Sequence, residues 1–259
     1  MSALPLSISA LGSGTLVLIL HGLFGHKRNW QTIQKRLADD ARIVNVDLRN
    51  HGDSPWDDVM TYPAMAEDIA GLIDTLGSGP AIVVGHSMGG KAAMTLALTD
   101  PERVRGLMVI DIAPVTYDHE YQPYIDAMRH VPLAELERRS EAEKYMQDVI
   151  PDASVRAFLL QNLGQTDQGF VWQFNLDAIQ DHLPDILDFP DNTKGPYEGP
   201  ALFLRGGKSD FVLDQHHARI DSLFPMATHD TIAGAGHWVH AEEPDQMIRH
   251  IRNFIADLD

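Results

Sequence analysis

Residues 81–94, AIVVGHSMGGKAAM, decide how the rest of the chain is read. The first half is apolar and β-branched, the composition of a strand covered on both faces. The second half is alanine-rich and favours helix. Between them stands Gly85-His86-Ser87-Met88-Gly89, a G-x-S-x-G sequence at a strand-to-helix turn. Such a turn strains its central residue, and flanking glycines remove the side chains that would clash. The Ser87 hydroxyl then projects clear of the sheet, at the amino end of a helix whose dipole favours developing negative charge. A serine that merely caps the helix is the alternative for the pentapeptide taken alone. The strand before it and the helix after it favour a nucleophile.

A serine hydroxyl is a weak nucleophile until a base takes its proton. Of the thirteen histidines, His237 stands in IAGAGHWVHAEEP, a glycine-bearing loop after the last apolar run. His240 lies close to the Glu-Glu-Pro helix start and reads as a capping or solvent-exposed residue. His86 points away from Ser87 by local geometry and reads as a packing or hydrogen-bonding residue. The base needs a carboxylate to fix its tautomer. Asp111 in VIDIAP and Asp210 in GGKSD both follow strands and both give the order Ser…Asp…His. Spacing does not separate them, and either could be a loop aspartate bonding its own backbone. An oxyanion requires donors, and LILHGLFG places Leu23 at the end of an early strand. The backbone N–H groups of Leu23 and Met88 are the natural pair.

Outward from the elbow, the apolar runs 15–22, 42–52, 80–87, 104–114, 199–210 and 227–237 read as buried strands. Helix-period segments such as NWQTIQKRLADD, YPAMAEDIAGLIDTL and DQMIRHIRNFIADL lie among them. Strands alternating with helices predict an α/β fold: a mostly parallel twisted sheet with helices on both faces. Residues 1–113 and 199–259 form the expected core. Residues 114–198 break the alternation and read as a helical cap, because so long an insertion exceeds any ordinary loop. Three helices are expected there, in PLAELERRSEAEKYMQDVI, DASVRAFLLQNL and NLDAIQDHLPDIL, with DFPDNTKGPYEGP as a turn-rich exit. The cap would cover the carboxyl edge of the sheet, where ligands bind in open α/β folds.

The 259 residues carry a formal charge of −17, with 20 Lys+Arg against 37 Asp+Glu. Such a surface disfavours nucleic-acid and anionic-lipid partners. Without cysteine there is neither a disulfide nor a thiolate site. No secretory signal and no membrane-spanning run is read, so the chain is expected to be cytoplasmic, as a monomer or small homo-oligomer. No metal spacing appears, since the adjacent His216 and His217 diverge on a helix. No phosphate-binding glycine loop appears either, and no cofactor is expected. In DLRNHGDS (47–54), Asp47, Arg49 and Asn50 read as loop braces. Arg49 and Lys91 are alternatively candidates to attract an anionic substrate group.

Together LHGLFG, DLRNHGDS, YPAMAEDI, GHSMGGKAAM, DIAPV and AGAGHWVHAEEP resemble the α/β-hydrolase superfamily. More narrowly they resemble YbfF-type acyl esterases and their mitochondrial relatives. The resemblance runs over nearly the whole chain and weakens in the cap. It implies a serine hydrolase acting on a small acyl ester or thioester, acyl-CoA included, through an acyl-enzyme. It also implies Asp111 as the acid, because the position of Asp210 is often not acidic in that family; here both carboxylates are present. The alternatives are carbon–carbon bond hydrolysis, a lyase step or perhydrolysis with the same triad, or a non-catalytic ligand-binding protein.

Overall fold

The computed structural model describes residues 3–167, 169–191 and 194–259. The first half contains β1 (Ile8–Leu11), β2 (Leu16–Leu20), α1 (Gln31–Leu37), β3 (Arg42–Val46) and α2 (Tyr62–Leu76). It ends with β4 (Ala81–His86), α3 (Met88–Thr99) and β5 (Val104–Ile110). After a long excursion the chain returns as β8 (Ala201–Gly206), α9 (His217–Leu223), β9 (Ala227–Ile232), α10 (Val239–Glu242) and α11 (Pro244–Leu258). Seven strands form one sheet in the order β1-β3-β2-β4-β5-β8-β9, with only β1 antiparallel. The α/β expectation holds. The edge strand β1 was not foreseen, because half-exposed ISAL lacks the long apolar run of its neighbours.

The apolar runs are explained by burial on two sides. In β2, Leu16, Leu18 and Leu20 face one core with α2 and α3, while Val17 and Ile19 face a second with α1 and α11. β4 splits in the same way, Ala81 and Val83 against Ile82 and Val84. Each fully buried aliphatic side chain contributes about 1.5–3 kcal/mol. The alternation holds β4 flat between two layers, so its end at Ser87 emerges at a defined height.

The excursion between β5 and β8 holds α4 (Gln122–Arg129), α5 (Glu143–Met146), α6 (Ala153–Leu160), β6 (Leu163–Thr166), β7 (Gly169–Trp172), α7 (Leu176–Asp181) and α8 (Leu183–Leu187). Three of its expectations are corrected. The long helix expected over 132–150 is two short 3-10 turns and α5, because the Glu141 carboxylate takes the amides of Glu137 and Arg138. Such side-chain bonds compete with the helical ladder. The helix expected over 175–187 breaks at His182 into α7 and α8, two residues before Pro184. A β6–β7 hairpin stands where no strand was expected. The exit turn read at 192 and 193 lies outside the described residues.

Candidate active site

Ser87 follows β4 with φ 51° and ψ −120°, a positive-φ conformation that a non-glycine residue adopts only under constraint. The constraint is close packing. A Cβ at Gly85 would lie 2.3 Å from the Gly89 carbonyl oxygen, and one at Gly89 would lie 2.7 Å from that of Leu20. The Ser87 side chain makes no capping bond to α3. Its Oγ instead donates to Nε2 of His237 at 3.1 Å, and Nδ1 of His237 donates to Asp111 Oδ2 at 2.7 Å. Asp111 also has positive φ, 51°, which turns it out of β5 toward the loop after β9.

Asp111 is fully buried, and its carboxylate takes two further donors. The Gly206 amide donates to Oδ1 at 2.9 Å, and the Ser209 hydroxyl donates to Oδ2. Asp210, the other sequence candidate, is exposed and is not brought to His237. Ser209, one position earlier in GGKSD, is the residue missed there. Phe211 was also missed; its ring stacks on His237 with centroids 3.8 Å apart. Glu242 accepts from the amide of Gly236 at 2.8 Å and from that of Trp238 at 3.3 Å, bracing the loop on both sides of His237.

The histidines around this line have distinct partners. His86 Nε2 donates to the His237 carbonyl at 2.8 Å, the hydrogen-bonding role anticipated for it. His240 is corrected: it is neither exposed nor a cap but buried, stacked on Trp30 at 4.3 Å. His21 accepts from the Leu48 amide and donates to the Gly22 carbonyl, while His51 accepts from the Phe24 amide and donates to the Arg49 carbonyl. The two rings therefore hold the 21–25 loop beside Ser87. Gly22 packs so closely that a Cβ there would lie 3.1 Å from Ser87 Cβ. Leu23 follows it, and the Leu23 and Met88 side of the elbow lines a cleft at Ser87. Met88 is the first residue of α3, so its N–H has no acceptor four residues back.

Burial holds these four rings neutral, and with them that of His26, which caps the turn at 27–30. It lowers His21 and His240 to about 3, His26 and His51 to about 4, and His86 well below its ordinary value. Neutral neighbours do not repel an imidazolium formed at His237. On unfolding each ring returns toward 6.5 and binds a proton. Because the folded values are the lower ones, this stability is complete above about pH 6.5 and is lost as pH falls toward 4 and below. Calorimetry should find a thermal midpoint that is flat above pH 7 and falls steeply below about 6, with proton uptake on unfolding. A flat midpoint down to pH 4.5 would contradict the burial argument.

In 47–54, Arg49 is buried with both ends of its fork on Asp68, at 2.7 and 2.9 Å, and a third bond to the Val59 carbonyl. Asp47 receives the amides of Lys27 and Asp53 and the Lys27 ammonium. Asn50 takes positive φ and accepts from the Asp57 amide. These are loop braces, and the Arg49 charge is already matched. Among the described residues, no group of three or more His, Asp or Glu is arranged to hold a metal ion. No helix among them is long and apolar enough to cross a membrane.

Two clefts meet at Ser87 and Leu23. One is lined by Phe24, Trp30, Tyr124, Phe158, His237 and Trp238. The other is lined by Tyr62, Met88, Lys91, Ile112, Tyr117 and Phe211. Tyr121 lines both.

The model of the alpha/beta hydrolase fold family matches residues 15–244. The chain is 42% identical over 264 residues to the sn-1-specific diacylglycerol lipase ABHD11 of Mus musculus, covering 98% of this chain and 86% of that one. It is 38% identical to Esterase YbfF of Escherichia coli (strain K12), covering 93% of each. Among solved structures, a marine microorganism esterase superposes with TM-score 0.94 at 36% identity, over 97% of this chain and 100% of that one.

Proposed function

The chain belongs to the α/β-hydrolase family and is of the YbfF type, and from that premise we propose that it hydrolyses carboxylic esters through an acyl-enzyme on Ser87. The observation that carries this reading is the continuous hydrogen-bonded line from Ser87 Oγ through His237 to Asp111. Esterase and lipase names among relatives above 35% identity support the same bond type.

As Ser87 Oγ bonds to the acyl carbon, its proton passes to His237 Nε2. The carbonyl π electrons move to oxygen, and that oxyanion lies against the Leu23 and Met88 amides. Collapse expels the alkoxide, which takes the proton from His237 and leaves as alcohol. Water then attacks the acyl-enzyme, giving its proton to His237, which returns it to Ser87 as the carboxylic acid departs. Asp111 keeps the Nδ1–H tautomer and faces the imidazolium formed in each half-reaction. An acyl thioester, acyl-CoA included, follows the same course with a thiolate leaving group. Residues 114–198, which supply Tyr124 and Phe158 to one cleft and Tyr62-facing Ile186 to the other, act in this reading as the cap.

A fluorophosphonate mimics the tetrahedral centre and needs an activated serine. It should label one residue per chain, and peptide mass mapping should find it on the peptide carrying Ser87. An unlabelled protein, as expected of a ligand-binding member without catalysis, would overturn the reading.

A further inference from the structure

Leu23, whose amide meets the oxyanion in the reading above, is the second residue of a tight turn. The Gly25 N–H donates to the Gly22 carbonyl at 2.9 Å, and Phe24, the third residue, takes φ 58°. A positive φ at that position ordinarily calls for glycine. Here a phenylalanine stands. Its ring packs against Phe174, with centroids 5.5 Å apart, and against Tyr121 at 6.2 Å, both from the excursion between β5 and β8. The packing needs a side chain where the backbone favours none, so the turn must be held from outside.

Each peptide plane of the turn is held by a different side chain. The Gly22 carbonyl accepts from His21 Nδ1 at 2.8 Å as well as from Gly25, which fixes the Leu23 N–H on the opposite side of that trans peptide. The Phe24 N–H donates to His51 Nε2 at 3.3 Å. The Phe24 carbonyl accepts from Asn162 Nδ2 at 2.6 Å. His21 and His51 belong to the core, but Asn162 belongs to the excursion, between α6 and β6. It is fully buried, and both oxygens near its Nδ2 are carbonyls, that of Phe24 and, at 3.4 Å, that of Leu159. Only the NH₂ end can face them. Its own carbonyl accepts from the Gln173 amide at 2.8 Å, and the Gln173 carbonyl accepts from the Gly52 amide at 2.7 Å. Gly52 adjoins His51, so the bonds close a ring through Phe24, His51, Gln173 and Asn162.

We propose that Asn162 is a positioning residue for ester hydrolysis: by holding the Phe24 carbonyl it keeps the strained turn in place, and with it the Leu23 N–H aimed at the oxyanion. Asn162 touches no reacting atom. Without it Phe24 relaxes toward the negative φ that L side chains prefer. The Gly25 amide then leaves the Gly22 carbonyl, and the Leu23 N–H rotates away from the substrate. The excursion thus completes the oxyanion site besides lining the clefts. This rests on the Ser87 reading above, with Leu23 as a donor, and adds to it the residue that keeps that donor in place.

Asn162→Leu keeps the size of the side chain and removes the donor. Its kcat toward p-nitrophenyl acetate should fall by about tenfold or more, part of the 10²–10³ or so that one oxyanion donor contributes, with KM within about threefold. Trifluoroacetophenone, which Ser87 converts to a tetrahedral oxyanion, should lose inhibition by the same factor. Acetophenone, which stays trigonal, should bind within about threefold of its affinity for the unaltered enzyme. An excursion that had merely shifted would weaken both ketones alike. Glycine takes positive φ about as readily as negative, so in a Phe24→Gly background the Asn162 substitution should cost less than about threefold. Should Asn162→Leu fail to fold, Asn162→Ala carries the same comparisons. Unchanged kcat in a folded Asn162 variant, equal weakening of both ketones, or an undiminished loss in the Phe24→Gly background would each overturn the proposal. Equal inhibition of the unaltered and Asn162 proteins by trifluoroacetophenone defeats this proposal alone, whereas no inhibition of the unaltered enzyme defeats the Ser87 reading with it.

Discussion

Replacing Ser87 with alanine should lower kcat toward a neutral ester such as p-nitrophenyl acetate by about 10⁶-fold, the scale seen when a triad nucleophile is removed. KM should move little, because the hydroxyl makes its essential bond only as the transition state forms. The fold should survive. Oγ reaches His237 and caps no helix amide, so its loss leaves no buried backbone donor unpaired. A residual rate of about 10³–10⁴ over water is expected from the oxyanion donors and binding alone. The measurement is steady-state turnover beside circular dichroism and thermal melting of the same sample. A folded Ser87→Ala protein that keeps even a hundredth of the activity would mean that another group attacks the ester.

Why the serine was readable from sequence and its surroundings were not is a matter of range. Ser87 is announced locally: the strand, the two glycines and the helix are contiguous, and each constrains the same bend. His237 is nearly as local, since the loop between the last strand and the last helix has one natural outlet. Asp111 against Asp210 could not be decided by spacing. Both follow strands, and the difference lies in a positive φ at Asp111 and in β8 delivering the Gly206 amide from 95 residues away. His240 misled because its partner, Trp30, comes from the other end of the chain. The excursion over 114–198 was the least readable part. Glu141 satisfies the amides of Glu137 and Arg138 where a continuous helix was expected, and the hairpin strands are four residues each, below the length at which alternation is informative. Lys91 is legible in the sequence as a cation, but its burial is a tertiary fact.

The two aspartates give the second large effect. Asp111→Asn should reduce kcat by about 10⁴-fold, while Asp210→Asn should change it by less than about threefold. The asymmetry follows from hydrogen-bond bookkeeping around a buried acceptor. The Asp111 carboxylate receives His237 Nδ1–H, the Gly206 amide and the Ser209 hydroxyl. An asparagine offers one oxygen and one NH₂. With its oxygen toward Gly206, the NH₂ faces His237 and forces the proton onto Nε2, where it can no longer accept from Ser87. With its oxygen toward His237, the NH₂ meets the Gly206 donor and a buried amide goes unpaired, at a cost of about 1–3 kcal/mol. The first arrangement is inactive and the second is less stable, so kcat must be measured on protein shown to be folded. Asp210 is exposed, and its replacement disturbs no such arrangement. The Asp111→Asn, Asp210→Asn double variant should match the Asp111 single variant, since a carboxylate that takes no part in the first case has nothing to lose in the second. If Asp210→Asn instead lowered turnover as far, or if Asp111→Asn kept a tenth of it, His237 would have to swing toward β8 during the reaction and Asp111 would be a loop anchor.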